Sequence, residues 1–147
     1  MAQAATGLMA LVNTQVLAKG VKYVAVVNLP DVSQTPFALS LDPATRGFVN
    51  LLATTFNSTL SVGLAGKPGV IVVDAYTQGR DQVANPTQYS LSSVNARACS
   101  TTSAADPLGR SSLTCTAASV IAGDTSKYLF ADDVNLTRTA TSCWPNL

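Results

Sequence analysis

Tyr23-Val24-Ala25-Val26-Val27-Asn28 is a short apolar segment, rich in β-branched residues, that lacks the alternation of a half-exposed strand. This pattern is typical of a strand buried on both faces, as in a parallel sheet. Leu29-Pro30-Asp31 ends the segment. A second segment of the same kind, Gly69-Val70-Ile71-Val72-Val73-Asp74, follows later in the chain. Together they predict the strands of a short parallel sheet.

Helical periodicity predicts a helix before each of these strands. The first covers residues 3–18, with Leu8, Leu11, Val12 and Val16 on its apolar face, and it ends at Lys19-Gly20. The second begins at Asp42-Pro43, an N-cap followed by Pro at the first helical position, and ends near Leu64. Its apolar residues repeat every four positions: Phe48, Leu52, Phe56, Leu60 and Leu64, with Leu51 beside them. The order helix–strand–helix–strand predicts an α/β fold with right-handed crossovers.

The second half of the chain carries weaker signals. A short helix is expected around residues 77–83, and Asn85-Pro86-Thr87-Gln88-Tyr89 is typical of a turn. Residues 96–125 are rich in Ser, Thr and Ala and predict a long loop. No repeat or linker divides the chain, so residues 1–147 are predicted to form a single domain.

Composition limits the class of protein. Of the 147 residues, 47% are hydrophobic and 12% are charged, which favours a globular domain with a buried core over disorder. The net charge is +1 without a basic cluster, so no nucleic-acid partner is expected. No apolar run is long enough to span a membrane, and the apolar N-terminus lacks the positive segment of a signal peptide. Because the chain has so little charge, electrostatic repulsion gives weak protection against self-association.

Three cysteines are present, and two of them flank the Ser/Thr-rich loop. A Cys99–Cys115 disulfide would stabilise the fold by about 3 kcal/mol in the chain-entropy model, and the alternative is a pair of free thiols. The disulfide would imply an oxidising compartment. Cys143 lies in the tail. Since the chain has no His and no closely spaced Cys pair, we expect no metal site, and nothing in the sequence predicts a cofactor.

A segment near the C-terminus carries a family resemblance. Residues 127–137 read Lys-Tyr-Leu-Phe-Ala-Asp-Asp-Val-Asn-Leu-Thr, which resembles the last conserved block of the SGNH (GDSL-type) lipases and esterases, roughly Tyr-Leu-Phe-x-Asp-x-x-His-Pro-Thr. In that family the Asp orients the His, which is the general base of a Ser-His-Asp triad. Asp132 lies at the position of the Asp, and Thr137 at that of the Thr. Asn135 replaces the His, and Leu136 replaces the Pro.

Four other pieces resemble the family's pattern and occur in the same order. Residues 18–31 resemble a family segment in which an apolar strand is followed by Asn-x-Pro. Thr35-Pro36 resembles the loop that comes next in the family, and residues 72–76 resemble the strand after that loop. Residues 85–89, followed by Cys99, resemble a stretch of secreted bacterial members and autotransporter passengers. The family's Gly-Asp-Ser nucleophile block, oxyanion Gly block and Gly-x-Asn-Asp block have no counterpart here. The chain therefore resembles the C-terminal half of such an enzyme, with residues 138–147 as an atypical tail.

The resemblance implies a fold and a function. The fold is a partial flavodoxin-like, three-layer α/β arrangement, with a short parallel sheet, helices on its faces and a long Ser/Thr-rich loop. The function is that of a secreted or periplasmic/extracellular carboxylic-ester hydrolase acting on an ester or lipid-like substrate, with Asp132 and Asn135 at its site. Without a His or the nucleophile block, we expect weak activity or none from this chain alone.

The alternative is a non-catalytic α/β module that binds a ligand or partner, or self-assembles. If only two strands of the sheet are present, the Tyr23–Asn28 edge lacks its inner neighbour. An exposed apolar edge is a template for pairing, so we expect a homo-oligomer that forms through this edge.

Simpler interpretations apply to several candidate residues. Without a base to orient, Asp132 is favoured as a loop or cap carboxylate, and Asp74 at a strand end as a cap or turn former. A catalytic Ser126–Lys127 pair is disfavoured, because adjacent residues seldom face each other correctly.

Overall fold

The computed structural model describes residues 1–100 and 112–142, which combine helices with two small parallel sheets. The α-helices are α1 (Ala2–Leu11), α2 (Pro36–Leu39), α3 (Pro43–Leu64), α4 (Ala75–Ala84) and α5 (Arg138–Ser142). The strands are β1 (Val24–Val27), β2 (Val70–Val73), β3 (Ser93–Arg97) and β4 (Tyr128–Phe130). The predicted α/β class is confirmed at this coarse level.

The first sheet consists of β1 and β2, the two strands that the apolar segments predicted. They pair in parallel, with Val24 opposite Val70 and Val27 opposite Val73. Gly69, directly before β2, has a positive φ of 74°, and a Cβ at this position would lie 1.9 Å from the Lys22 carbonyl oxygen. Only glycine combines that backbone conformation with so close an approach, so Gly69 allows β2 to start directly beside β1.

Helices α1 and α3 pack against one face of this sheet. The shared core comprises Ala5, Val12, Val26, Phe56, Leu60 and Leu64. The first predicted helix is confirmed as a continuous helical run, although it leaves α geometry after Leu11, forming a π-helical turn and then a 3₁₀ turn that ends at Lys19. The second has the predicted bounds, because Asp42 accepts hydrogen bonds from the backbone N–H groups of Ala44 and Thr45 at 3.0 Å each.

The opposite face of the first sheet is exposed, which corrects two predictions. Tyr23 is 81% exposed and Ile71 59%, and Ala25 and Val27 on the same face are also exposed. The strands are therefore buried on one face only. Among the residues that the structure describes, helices cover one face of this sheet only. The arrangement therefore has two layers, whereas three layers with helices on both faces were expected. Apolar composition shows that a strand can be buried, but it does not show whether a covering layer exists.

Two predicted core residues of α3 are also exposed. Phe48 and Leu51, in the first half of the helix, are 58% and 57% exposed. The buried residues of α3 are Ala53, Phe56, Leu60 and Leu64. The four-residue repeat therefore predicts the buried residues of α3 correctly from Phe56 onward.

The second sheet pairs β3 with β4 in parallel, and the sequence did not predict it. Ser93 lies opposite Tyr128 and Arg97 opposite Phe130, with a register irregularity between. A separate core forms here from Leu91, Leu129, Phe130 and Ala140. Residues 96–125 are thus not a single loop, since β3 runs into them and Cys99 forms an isolated bridge with Val120.

A disulfide joins Cys99 to Cys115, so these two cysteines are not the free thiols of the alternative interpretation. The expected 77–83 helix is α4, which is longer by two residues at its start and one at its end. The tail begins with the short helix α5, whose first turn is held by the Thr137 hydroxyl accepting from the Ala140 N–H at 3.2 Å. Residues 101–111 of the predicted loop and the end of the tail with Cys143 lie outside the described residues.

Candidate functional site

Asp132 lies in the turn that follows β4, and its side chain is only 2% exposed. Its Oδ1 accepts hydrogen bonds from the backbone N–H groups of Val134 at 2.9 Å and Asn135 at 2.7 Å. Its Oδ2 accepts from the backbone N–H of Ser112 at 2.6 Å and from Asn135 Nδ2 at 2.8 Å. The carboxylate therefore holds the turn closed and ties it to Ser112, near the end of the loop that the Cys99–Cys115 disulfide closes.

These four donors determine the charge of Asp132. Burial alone would raise its pKa, but the hydrogen bonds from Asn135, Val134 and Ser112 outweigh burial and hold the pKa far below its usual range. Asp132 is therefore ionised at neutral pH and cannot itself serve as a general base there.

Asn135 is brought into direct contact with Asp132, as the resemblance to a triad would require. The amide nitrogen faces the carboxylate in the manner in which a triad His donates its ring N–H to Asp. An amide, however, has no lone pair that accepts a proton near neutral pH. The chain contains no His, so an imidazole is not available as a base at this position.

The suggested Ser126–Lys127 pair does not form a catalytic contact. The Ser126 hydroxyl donates to Asp124 Oδ1, and Lys127 Nζ lies 3.5 Å from Asp124 Oδ2. Both side chains are therefore bound to the same exposed carboxylate rather than to each other.

A second polar group lies where the parallel strands β1 and β2 end. Asn28 Nδ2 donates to Asp74 Oδ1 at 2.9 Å, and Asn28 Oδ1 accepts from the Tyr76 N–H at 3.1 Å. Asp74 also caps α4 by accepting from the Thr77 N–H at 3.0 Å. Burial would raise the pKa of Asp74, but the hydrogen bonds from Thr77 and Asn28 outweigh it and lower the pKa. Asp74 is thus a helix cap, the simpler of its two interpretations.

These side chains line an open depression of about 460 Å³. Its wall on α3 is formed by Thr54, Asn57, Ser58, Ser61 and Val62. Ligands of open α/β sheets bind outside the carboxyl ends of the strands, which is where this depression lies. Within it, Asp74 accepts hydrogen bonds from Asn28 and Thr77, whereas the Asn57 side chain is paired with the backbone of Leu29.

An ion pair between the buried Asp31 carboxylate and the half-exposed Arg80 side chain, beside this depression, was not predicted. Asp31 Oδ2 accepts from Arg80 Nη1 at 2.6 Å, and Asp31 Oδ1 accepts from Asn50 Nδ2 at 3.1 Å. Asn50 also donates to the Tyr76 hydroxyl at 3.1 Å. Burial would raise the pKa of Asp31, but hydrogen bonds from Ser33 and Arg80 lower it overall. The network ties the start of α3 to α4, and no local sequence signal marks Arg80 or Asn50 as partners of Asp31.

Further findings limit the kinds of site present. In residues 1–100 and 112–142, no three His, Cys, Asp or Glu side chains come together as a metal site would require. None of the helices in this part of the chain combines the length and the apolar character needed to cross a bilayer.

No protein-family model matches the chain, and no curated protein matches it either.

Proposed function

We propose that this chain is a catalytically silent relative of the SGNH ester hydrolases, in which the triad Asp is kept and the base has been replaced. One observation carries the proposal: Asn135 Nδ2 donates to Asp132 Oδ2 at 2.8 Å, in the place of the expected Asp–His contact. An amide there preserves the turn but accepts no proton. The chain alone would therefore not turn over esters.

Further features support this interpretation. The polar residues Asn28 and Asp74 follow parallel strands in the order of the resemblance, and Asp132 follows β4. The substrate class implied for an active protein of this kind is a carboxylic ester, including lipid-like esters. The Cys99–Cys115 disulfide favours an oxidising location, which supports a secreted or periplasmic protein.

Hydrolysis of p-nitrophenyl butyrate tests the absence of activity. We expect no turnover above that of an Asp132→Asn variant, and no labelling by a fluorophosphonate that reacts with activated serines. An Asp124→Asn variant, which removes an exposed carboxylate, is the matched control. Phosphonate-sensitive turnover that survives in Asp124→Asn and is lost in Asp132→Asn would show an active hydrolase instead.

The encoding DNA with its upstream flank tests the family relationship separately. An in-frame Gly-Asp-Ser block there would support an SGNH hydrolase of which this chain resembles the C-terminal half. An upstream reading frame without that block would favour a module of different origin.

A second candidate function is self-assembly, and the exposed face of the first sheet favours it. No other strand of residues 1–100 and 112–142 pairs with β1 or β2. The exposed side chains of Tyr23, Val27 and Ile71 lie on the same small sheet. A two-stranded sheet is marginal by itself, and an apolar edge favours pairing with another strand. A second copy of the chain, joined through the Tyr23–Asn28 edge, would complete the sheet in a homo-oligomer.

A further inference from the structure

A small, partly open cavity lies between α4, β4 and the turn after Asp132. Its volume is about 90 Å³. Most of its wall is apolar, formed by Val32, Ala75, Val83, Leu129, Phe130 and Leu136. It is separate from the polar depression at the ends of β1 and β2, which has different lining residues.

Gln82 is a fully buried polar residue of this wall. It lies on α4 with an exposed fraction of 0%. Its Nε2 donates to the Ala140 carbonyl oxygen at 2.8 Å, whereas its Oε1 is buried and has no hydrogen-bond partner. Exchanging the two amide atoms would place Oε1 against the Ala140 carbonyl oxygen, so the observed orientation is the favourable one. A buried acceptor without a donor is uncommon in folded proteins and indicates a group that a ligand or a water satisfies.

The other polar side chains of the wall, on Asp31, Gln34 and Thr35, each have a hydrogen-bond partner. Asp31 accepts from Arg80 and Asn50, as described above. The Thr35 hydroxyl donates to the Val32 carbonyl oxygen at 2.8 Å and accepts from the Ala38 N–H. The Asp31 charge is balanced by Arg80, so the cavity offers no unpaired charge from this carboxylate. These features favour a neutral ligand with an apolar body and one hydrogen-bond donor.

The volume limits the size of such a ligand. About 90 Å³ corresponds to roughly three water molecules at the volume each occupies in the liquid, or to a compact molecule of about four non-hydrogen atoms. We propose that this cavity is a binding site for a short-chain alcohol, whose hydroxyl donates to Gln82 Oε1 and whose alkyl group packs against Leu129, Phe130 and Leu136.

A matched pair of probes tests the hydroxyl contact in the unaltered protein. 2-Propanol and acetone have the same number and branching of non-hydrogen atoms, but only 2-propanol has a hydroxyl donor. We expect 2-propanol to shift the NMR signals of the Gln82 side-chain amide and the Leu129 and Leu136 methyl groups saturably, with a dissociation constant on the order of a millimolar. Acetone should bind about tenfold more weakly or not at all.

A variant tests the role of the oxygen. Gln82→Met keeps the length of the side chain and removes the acceptor, so the preference for 2-propanol over acetone should disappear. Gln88→Met, at an exposed glutamine, is the matched control and should keep the preference. If Gln82→Met does not fold, the comparison of the two probes in the unaltered protein remains decisive.

Three results would overturn the proposal. The first is a set of shifts that rise linearly with 2-propanol without saturation. The second is equal affinity for 2-propanol and acetone. The third is a long-lived buried water, detected by magnetisation transfer to the Gln82 amide, that 2-propanol does not displace.

Discussion

Asn135 Nδ2 lies 2.8 Å from Asp132 Oδ2 and donates a hydrogen bond to it, in the place where the family's block would put His. This contact predicts the behaviour of a histidine installed there. In Asn135→His the ring would lie beside a buried carboxylate that remains ionised, so its pKa should rise above the ordinary value of about 6.5. An NMR titration of the imidazole signals measures this pKa, which we expect above about 7.

A double variant isolates the cause of that shift. In Asn135→His combined with Asp132→Asn, the negative charge is absent and the imidazole pKa should return to about 6.5 or below. A pKa at or below 6.5 in the single variant would show that position 135 does not present its side chain to Asp132 as a triad His would.

Acid stability should depend on Asp132. Its folded pKa lies below the unfolded value of about 3.9, so the unfolded chain binds the proton more readily. The stabilisation by the carboxylate is therefore complete above about pH 5 and is lost as the pH falls below about 4. Asp132→Asn should lower the free energy of unfolding at pH 7 by about 2 kcal/mol or more, because buried N–H donors lose their charged acceptor.

Urea unfolding at several pH values measures this effect. The difference between the unaltered protein and Asp132→Asn should be largest at neutral pH and should shrink towards pH 2. A difference that does not change between pH 7 and pH 2 would show that packing, rather than the charge of Asp132, stabilises the turn.

The predictable parts of the fold are those with local signals. Helix α3 was predicted because its cap, Asp42-Pro43, and its apolar repeat lie in the segment itself. Strand β3 was missed because Ser93–Arg97 is mostly polar and small, and its partner β4 begins only at Tyr128. Local patterns cannot show a pairing that depends on residues so distant in the chain.

The same reasoning applies to the candidate sites. Asp132 and Asn135 were found because both lie in one short block. Gln82 was not, since its burial depends on Ala140 in α5, 58 residues later. Likewise, the ion pair between Asp31 and Arg80 joins residues that are 49 positions apart. Local sequence patterns do not predict such contacts, because the contacts form only when distant helices and strands pack together.

Two glycines with similar backbone conformations provide a test of the first sheet. Gly66 and Gly69 have φ values of 69° and 74°, so alanine is strained at both by about 1–2 kcal/mol. A Cβ at Gly66 meets no atom within 4 Å, whereas one at Gly69 would lie 1.9 Å from the Lys22 carbonyl oxygen. Gly69→Ala should therefore cost about 2 kcal/mol more than Gly66→Ala, because β1 and β2 must also separate.

Urea unfolding of the two alanine variants at neutral pH gives this difference directly. Equal losses of stability would mean that the start of β2 does not approach β1 as closely as the structure shows.

Self-association should depend on the Tyr23–Asn28 edge of the first sheet. Val27→Lys places a cation on this edge strand at a side chain already 49% exposed, so it should weaken pairing between copies while leaving the core intact. Val62→Lys changes a side chain that is 80% exposed on α3 and is the matched control for added charge. In sedimentation velocity across a concentration series, the unaltered chain and Val62→Lys should both sediment faster as concentration rises. Val27→Lys should remain closer to the 15.2 kDa monomer, and a monomer at all concentrations for the unaltered chain would rule out assembly through this edge.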